Sequence, residues 1–269
     1  YQCDWSSDVC SSDLKNSFRS GFLSDCIEDL KREFTVRKSA LQVFSGEYSQ
    51  VLQEISEQEK IDAIFINQDY TPFAKKRQKE ISQFCNKNGI TFFQFIDHFM
   101  YDPNLVKTQQ GKPYIIFSQF LRSAMQIPVA RPQENKFQNF YSQNLGQYTI
   151  ETHSTIPITG GRKNALDILH NIERHYDYQN TRNYPAINGT TMLSAHNRFG
   201  TVSIREAYHA IASRLGIEHA LMTEIHWREF FSHILYHYPN VLRYSFRKQN
   251  VQWQNNHIHF DAWKQGKTG

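Results

Sequence analysis

Apolar positions along the first hundred residues alternate between helical and extended spacing. Residues 18–34 set Phe22, Ile27, Leu30 and Phe34 on one face of an amphipathic helix. Leu41-Gln42-Val43-Phe44 reads as a short strand closed by Ser45-Gly46. Val51, Leu52 and Ile55 mark a second helix, and Ala63-Ile64-Phe65-Ile66 is an apolar strand followed by a turn at Asn67–Pro72. A charged helix through Lys75, Arg77, Lys79 and Glu80 ends before Gly89, and Thr91-Phe92-Phe93-Gln94-Phe95 is a third strand. Helices alternating with near-continuous apolar strands predict an α/β domain with a parallel sheet covered on both faces. Ligands of such sheets sit beyond the carboxyl ends of the strands. Asn67–Tyr70 is therefore a candidate site as well as a plain connecting loop.

The pattern changes at residues 125–158. Pro128, Pro132 and Pro157 bracket a Gln/Asn-rich stretch with little periodicity, expected to be a long interdomain connection. After Gly160-Gly161 the spacing is helical, with Ala165, Ile168, Leu169 and Ile172 on one face. Ser203 and Glu206 have the spacing of a capping box. Ile204, Tyr208, Ile211 and Leu215 give that helix its apolar stripe, and Gly216 is its stop. A further helix is predicted over residues 217–237. The organisation expected is an α/β domain over 15–124, a connection over 125–158 and an all-α domain over 159–269.

Composition narrows the class. The 269 residues are 39% hydrophobic and 14% aromatic, with 20 Phe, 14 Tyr and 4 Trp, enough for a packed core. A net charge of +4 is compatible with a basic nucleic-acid groove without demanding one. No apolar run approaches the length of a membrane span, so a soluble chain is expected. Cys3, Cys10, Cys26 and Cys85 have neither zinc-ligand nor disulfide-framework spacing, and the last two read as thiols of a reducing compartment.

Three groups of residues bear on chemistry. Gly189-Thr190-Thr191-Met192-Leu193-Ser194 puts hydroxyls and a glycine at a loop-to-helix junction, which suits either an N-cap or a phosphate site. Glu224 and Trp227, three residues apart, project from one face of a helix, and Arg228 is four residues from Glu224. That set reads either as an ion pair beside a buried Trp, or as an indole platform for an unstacked base with a carboxylate on its polar edge. Other patterns fail. Gln265-Gly266-Lys267-Thr268 imitates the end of a P-loop, but the required glycine falls at Asp261. His257 and His259 have no third metal ligand at suitable spacing, and Asp97-His98 has no nucleophile motif.

Residues 1–14 hold a near repeat, Ser6-Ser7-Asp8-Val9-Cys10 and Ser11-Ser12-Asp13-Leu14, and resemble a translated sequencing-library adapter. From about Phe18 onward the chain resembles the DNA photolyase and cryptochrome family, and within it the class I-like cyclobutane dimer photolyases. The carriers are Asn67–Pro72 with Arg77, Gly111–Phe117, Gly160-Gly161-Arg162, Tyr178 and Arg182 through Ser194, Gly200–Arg205, Trp227–Phe231, and Val251-Gln252-Trp253 on to Gly269.

The resemblance implies a Rossmann-like α/β domain lacking its first strand and a truncated helical domain that holds FAD. Tyr178, Thr190, Thr191, Met192, Leu193 and Ser194 would cradle the flavin, with Arg228 alongside. Arg182 would contact a DNA phosphate, and Glu224 and Trp227 would face a flipped pyrimidine dimer. Glu224, as a neutral acid, would donate a hydrogen bond to that dimer, and Trp253 would pass electrons to the flavin. The implied activity is light-driven carbon–carbon lyase repair of damaged DNA by a cytoplasmic monomer, with a cryptochrome photoreceptor as the alternative. An antenna pigment, folate or another, would accompany it, although no folate-binding Asn-Glu pair matches near Thr108-Gln109-Gln110. The chain reads as an internal fragment that stops before the segment completing the pocket, and is expected to be inactive as it stands.

Overall fold

A computed structural model describes residues 17–146 and 158–247, residues 252 and 254, and residues 256–268. The adapter-like residues 1–14 and Trp253 lie outside them. In chain order the elements are α1 (Ser17–Val36), α2 (Tyr48–Gln58), β1 (Ala63–Asn67), α3 (Pro72–Asn88), β2 (Thr91–Phe95), α4 (Phe117–Ala124), α5 (Arg162–His170), α6 (Tyr178–Thr181), α7 (Leu193–Phe199), α8 (Ile204–Arg214), α9 (Ala220–His237) and α10 (His257–Lys264).

β1 and β2 pair in parallel, Ala63 opposite Thr91 and Asn67 opposite Phe95. Between them α3 is delimited by local chemistry. Thr71 accepts from the Ala74 amide at its start, Pro72 occupies its first turn, and Gly89 closes it at φ 68°. Alternate strand positions divide the sheet. Ile64 and Phe92 pack with Ile81 and Cys85 of α3 and with Leu52 of α2. On the opposite face Phe65 stacks on Phe93 at 4.8 Å, and both remain substantially exposed. The expectation of a sheet covered on both faces is corrected among the described residues: the second face is an aromatic ladder of Phe65, Phe93 and Phe95 that stays largely exposed.

The expected strand at 41–44 is also corrected. A strand needs a neighbour for its hydrogen-bond ladder, and among the described residues none lies beside this segment. It instead crosses residues 141–146 through side-chain bonds. Gln42 donates to the Gln143 carbonyl at 2.7 Å and accepts from the Leu145 and Gly146 amides at 2.7 and 3.0 Å. Four residues, three of them apolar, cannot distinguish that crossing from a strand.

The larger core joins the segment after β2 to the helices. Met100, Val106 and Phe120 are buried with Leu169, Ile172, Ile204, Ala207, Ile211, Met222 and Phe230. α8 carries the expected capping box: the Glu206 amide donates to Ser203 Oγ at 3.1 Å, and the Ser203 amide to the Glu206 carboxylate at 2.8 Å. Glu206 is held by Arg162 as well, at 2.7 Å. α9 starts at Ala220, three residues after the expected 217, because His219 caps it by accepting from the Leu221 amide.

α1 docks where Gly160 and Gly161 open α5. Asp25 accepts from the Gly160 amide at 3.0 Å and Asp29 from the Arg162 amide at 2.7 Å. A Cβ on Gly160 would lie 2.4 Å from the Phe22 carbonyl oxygen and 2.9 Å from Asp25 Cβ, so the backbones themselves set the spacing. Gly160→Ala is therefore expected to lower stability by about 1–3 kcal/mol, the usual cost of forcing extra volume into a closed contact. Urea unfolding of the two proteins checks this.

Candidate functional site

Arg182, Glu224 and Trp227 converge on one pocket of about 530 Å³, rimmed by Tyr176, Gln179, His219 and Thr223. The three come from two elements: Arg182 ends α6, and Glu224 and Trp227 share a face of α9 as their spacing predicts. Arg182 donates through Nη1 to Glu224 Oε1. Its guanidinium also lies 5.8 Å from the Tyr178 ring. Arg182 Nε is buried, with no hydrogen-bond partner among the described residues. The pair is about one-third exposed on each side, so both charges are reachable from the pocket.

Trp227 packs one ring face on Phe117, centroid to centroid at 3.5 Å and 9° from parallel. Phe230 meets the indole edge-on at 5.8 Å and Phe231 lies at 5.6 Å, and Trp227 also lines the pocket. Phe117 was not singled out from the sequence for this role. A lone aromatic at the start of a helix carries no signal of what it will cover.

The Gly189–Ser194 segment lies at the opening of α7. Met192 is its N-cap residue, in the left-handed region at φ 55°, and supplies no side-chain cap. Thr191 Oγ1 accepts from the Leu193 amide at 3.3 Å, while Ser194 and Met192 are exposed. Leu193 is buried in the larger core, against which Tyr178 packs. Gly189 runs so close to α6 that a Cβ would fall 2.7 Å from the Thr181 carbonyl oxygen. Close packing thus ties this turn to the helix that carries Tyr178 and leads into Arg182.

Arg228 faces elsewhere. It does not pair with Glu224, although their spacing allowed it. Its guanidinium donates to Glu229 at 2.6 Å and to His98 Nε2 at 3.2 Å. It lines a second cavity, of about 750 Å³, at the carboxyl ends of the strands with Asn67, Gln68, Asp69, Asp97 and His98. Arg205 closes the same seam, donating to Asp97 at 2.8 Å and to the Ile96 carbonyl at 2.7 Å. Asn67, Gln68 and Asp69 of the strand-end candidate Asn67–Tyr70 therefore border a cavity, and Tyr70 is not among its lining residues. Arg205 and Arg162, which help form the cavity, stand in motifs that carry the family resemblance but were assigned no role there.

Burial dominates the electrostatics here. Glu229 is fully buried, which pushes its carboxyl up to about 7 against the opposing pull of Arg228 and the Met100 amide. Burial, with the Arg228 and Arg198 charges, holds His98 down at about 3, so it is neutral and can accept from Arg228. Burial likewise lowers His233 to about 4, aided by His237 and Lys107. Among the described residues no group of His, Cys, Asp or Glu side chains is placed to hold a metal ion.

The signs of these shifts differ. A histidine held below 6.5 stabilises the fold above that pH, and the contribution is lost as pH falls toward the folded value. Glu229 acts oppositely: its contribution is full below 4.5 and is lost as pH rises through about 7. For His233, with a folded value near 4 against 6.5 unfolded, the loss at pH 5 is about 2 kcal/mol. Urea midpoints at pH 7 and pH 5 should fall steeply for the natural protein and less steeply for His233→Leu.

Comparison with known proteins bears on these surfaces. A family described as DNA photolyase matches residues 5–136, and one described as FAD binding domain of DNA photolyase matches residues 221–269. A deoxyribodipyrimidine photo-lyase of Synechococcus is 25% identical over 93% of the chain, and the chain spans 58% of that relative. The crystal structure of an archaeal photolyase from Sulfolobus tokodaii with two FAD molecules is 28% identical, with TM-score 0.75, over 97% of this chain and 59% of that one. A bacterial class III photolyase from Agrobacterium tumefaciens shares the fold at TM-score 0.81 and 22% identity, over 93% of this chain and 57% of its own.

Proposed function

Because the chain belongs to the DNA photolyase and cryptochrome family, we propose that it forms the lesion-facing surface of a flavoenzyme that reverses cyclobutane pyrimidine dimers in DNA with light. The observation that carries this reading is the single pocket shared by Arg182, Glu224 and Trp227. An extruded dimer needs an apolar surface to replace its lost stacking, and the free part of the Trp227 indole offers one. It needs a cation for the backbone phosphate beside it, and Arg182 carries one. Glu224 supplies the polar edge. A dimer is cheaper to extrude than an intact pair, because the lesion already weakens stacking and pairing.

The Arg182–Glu224 ion pair gives these residues an order of events. A DNA phosphate competes with the Glu224 carboxylate for the guanidinium, and Arg182 then leaves Glu224 free to turn to the substrate. The pair therefore masks both charges until a polyanion arrives.

The donor set at the start of α7 fits the phosphate side of FAD. Thr190 and Ser194 offer hydroxyls there, the helix N-terminus favours an anion, and Tyr178 stands close by. When bound, reduced FAD supplies the photoexcited electron that opens the dimer and receives it back. Of the chain's own residues, Trp227 and Glu224 hold the substrate, and Trp253 carries electrons toward the flavin. Arg228, the other expected flavin neighbour, is paired with Glu229 and His98. The strand-end cavity, of about 750 Å³ and lined by arginines and carboxylates alike, has room for a second pigment as antenna. The archaeal relative that holds two FAD molecules supports such a second site. No helix among the described residues is long and apolar enough to cross a membrane, and a cytoplasmic monomer acting on DNA is the matching setting.

Binding of short duplexes with and without one dimer tests the assignment. Trp227→Ala is expected to weaken the damaged duplex by about 10- to 100-fold and leave the undamaged one nearly unchanged. Arg182→Ala should weaken both by a similar factor and lower the salt dependence by about one ion. Equal affinity of the natural protein for both duplexes contradicts dimer repair and favours the cryptochrome alternative.

A further inference from the structure

The geometry points to Phe117 as the positioning residue that sets the Trp227 indole as a base-stacking surface, an inference that rests on the proposed function. Among the described residues Trp227 has three aromatic ring partners, and they are unequal. Phe230 meets it edge-on at 5.8 Å and 79°, and Phe231 lies at 5.6 Å and 23°. Phe117 lies nearer and flatter against it than either, at 3.5 Å and 9°. One indole face is thereby covered by Phe117, and Trp227 also lines the pocket that Glu224 and Arg182 share.

The ring that does this is itself anchored. Phe117 is the first residue of α4, and Phe120 one turn later is fully buried, 5.3 Å from Phe230 and 5.1 Å from His233. Phe117 also meets the edge of Phe230 at 5.7 Å. Its position is therefore fixed by core packing three residues on, and that fixity passes to the indole. Rotation of Trp227 about its side-chain bonds requires breaking the flat stack.

A half-exposed Trp without such a partner samples several rotamers, and a ligand that stacks on it must freeze one of them. With Phe117 in place that ordering is made during folding, and the binding step is spared it. Flatness is the property required. Tyrosine preserves it, whereas leucine keeps an apolar contact of similar reach and loses it. Phe117 touches only the hidden face of the indole, so it acts through Trp227 and not on the substrate.

The test uses the full chain labelled with 5-fluorotryptophan, with the Trp227 signal assigned by Trp227→Phe. Phe117→Leu is expected to shift and broaden that one fluorine resonance, since the ring current and the rotamer restraint both disappear. Affinity for a duplex carrying one dimer should fall about tenfold, with affinity for the undamaged duplex unchanged. Phe117→Tyr should restore both. A purely structural role would instead lower thermal stability and bind both duplexes more weakly. An unmoved fluorine signal overturns the stack. A moved signal with undiminished preference for the dimer overturns the positioning role and leaves the proposed function standing. Absence of any dimer preference in the natural protein overturns the proposed function, and this inference with it.

Discussion

A fully buried carboxylate, Glu229, sits where the segment leaving the sheet meets the longest helix of the helical part. A charge in that position is tolerable only with strong partners. Two are supplied from opposite sides, the Met100 amide at 2.9 Å and Arg228 at 2.6 Å. Arg228 in turn donates to His98, and Arg205 holds Asp97 and the Ile96 carbonyl. This seam joins the strand ends to α8 and α9. It also decides which way α9 faces. With Arg228 and Glu229 committed inward, Glu224 and Trp227 are left to the pocket that Arg182 completes.

The elements with their own local chemistry were legible in the sequence. β2 was expected and found over Thr91–Phe95 because three phenylalanines and a threonine, all β-favouring, follow the helix-closing Gly89. The α8 capping box was expected because both halves of it lie within four residues. The segment at 41–44 was misread because its partner lies a hundred residues away and makes its bonds through one glutamine side chain. The uncovered Phe65 and Phe93 show the same limit. Their apolar character announced burial, yet stacking on each other satisfies part of it.

The candidate site was legible where helical spacing alone sets geometry, as with Glu224 and Trp227. It was not legible where charge partners compete. Arg228 had a carboxylate at ideal helical distance in Glu224, but the buried Glu229 outbids it, because an unpaired charge there costs more than one at the rim. Glu224 then accepts from Arg182, forty-two residues earlier in the chain. Phe117, from the segment linking sheet and helices, covers the indole for a reason visible only once α4 is seated on α9.

The central claim is that the pocket of Arg182, Glu224 and Trp227 receives damaged DNA by exchanging an internal ion pair for a phosphate. A crystal structure of the protein with a short oligonucleotide carrying one cyclobutane dimer tests it most directly. The claim predicts the dimer against the free surface of Trp227, Arg182 on the adjoining phosphate, and Glu224 turned from Arg182 to the bases. An oligonucleotide bound elsewhere, with the Arg182–Glu224 pair intact, would contradict it.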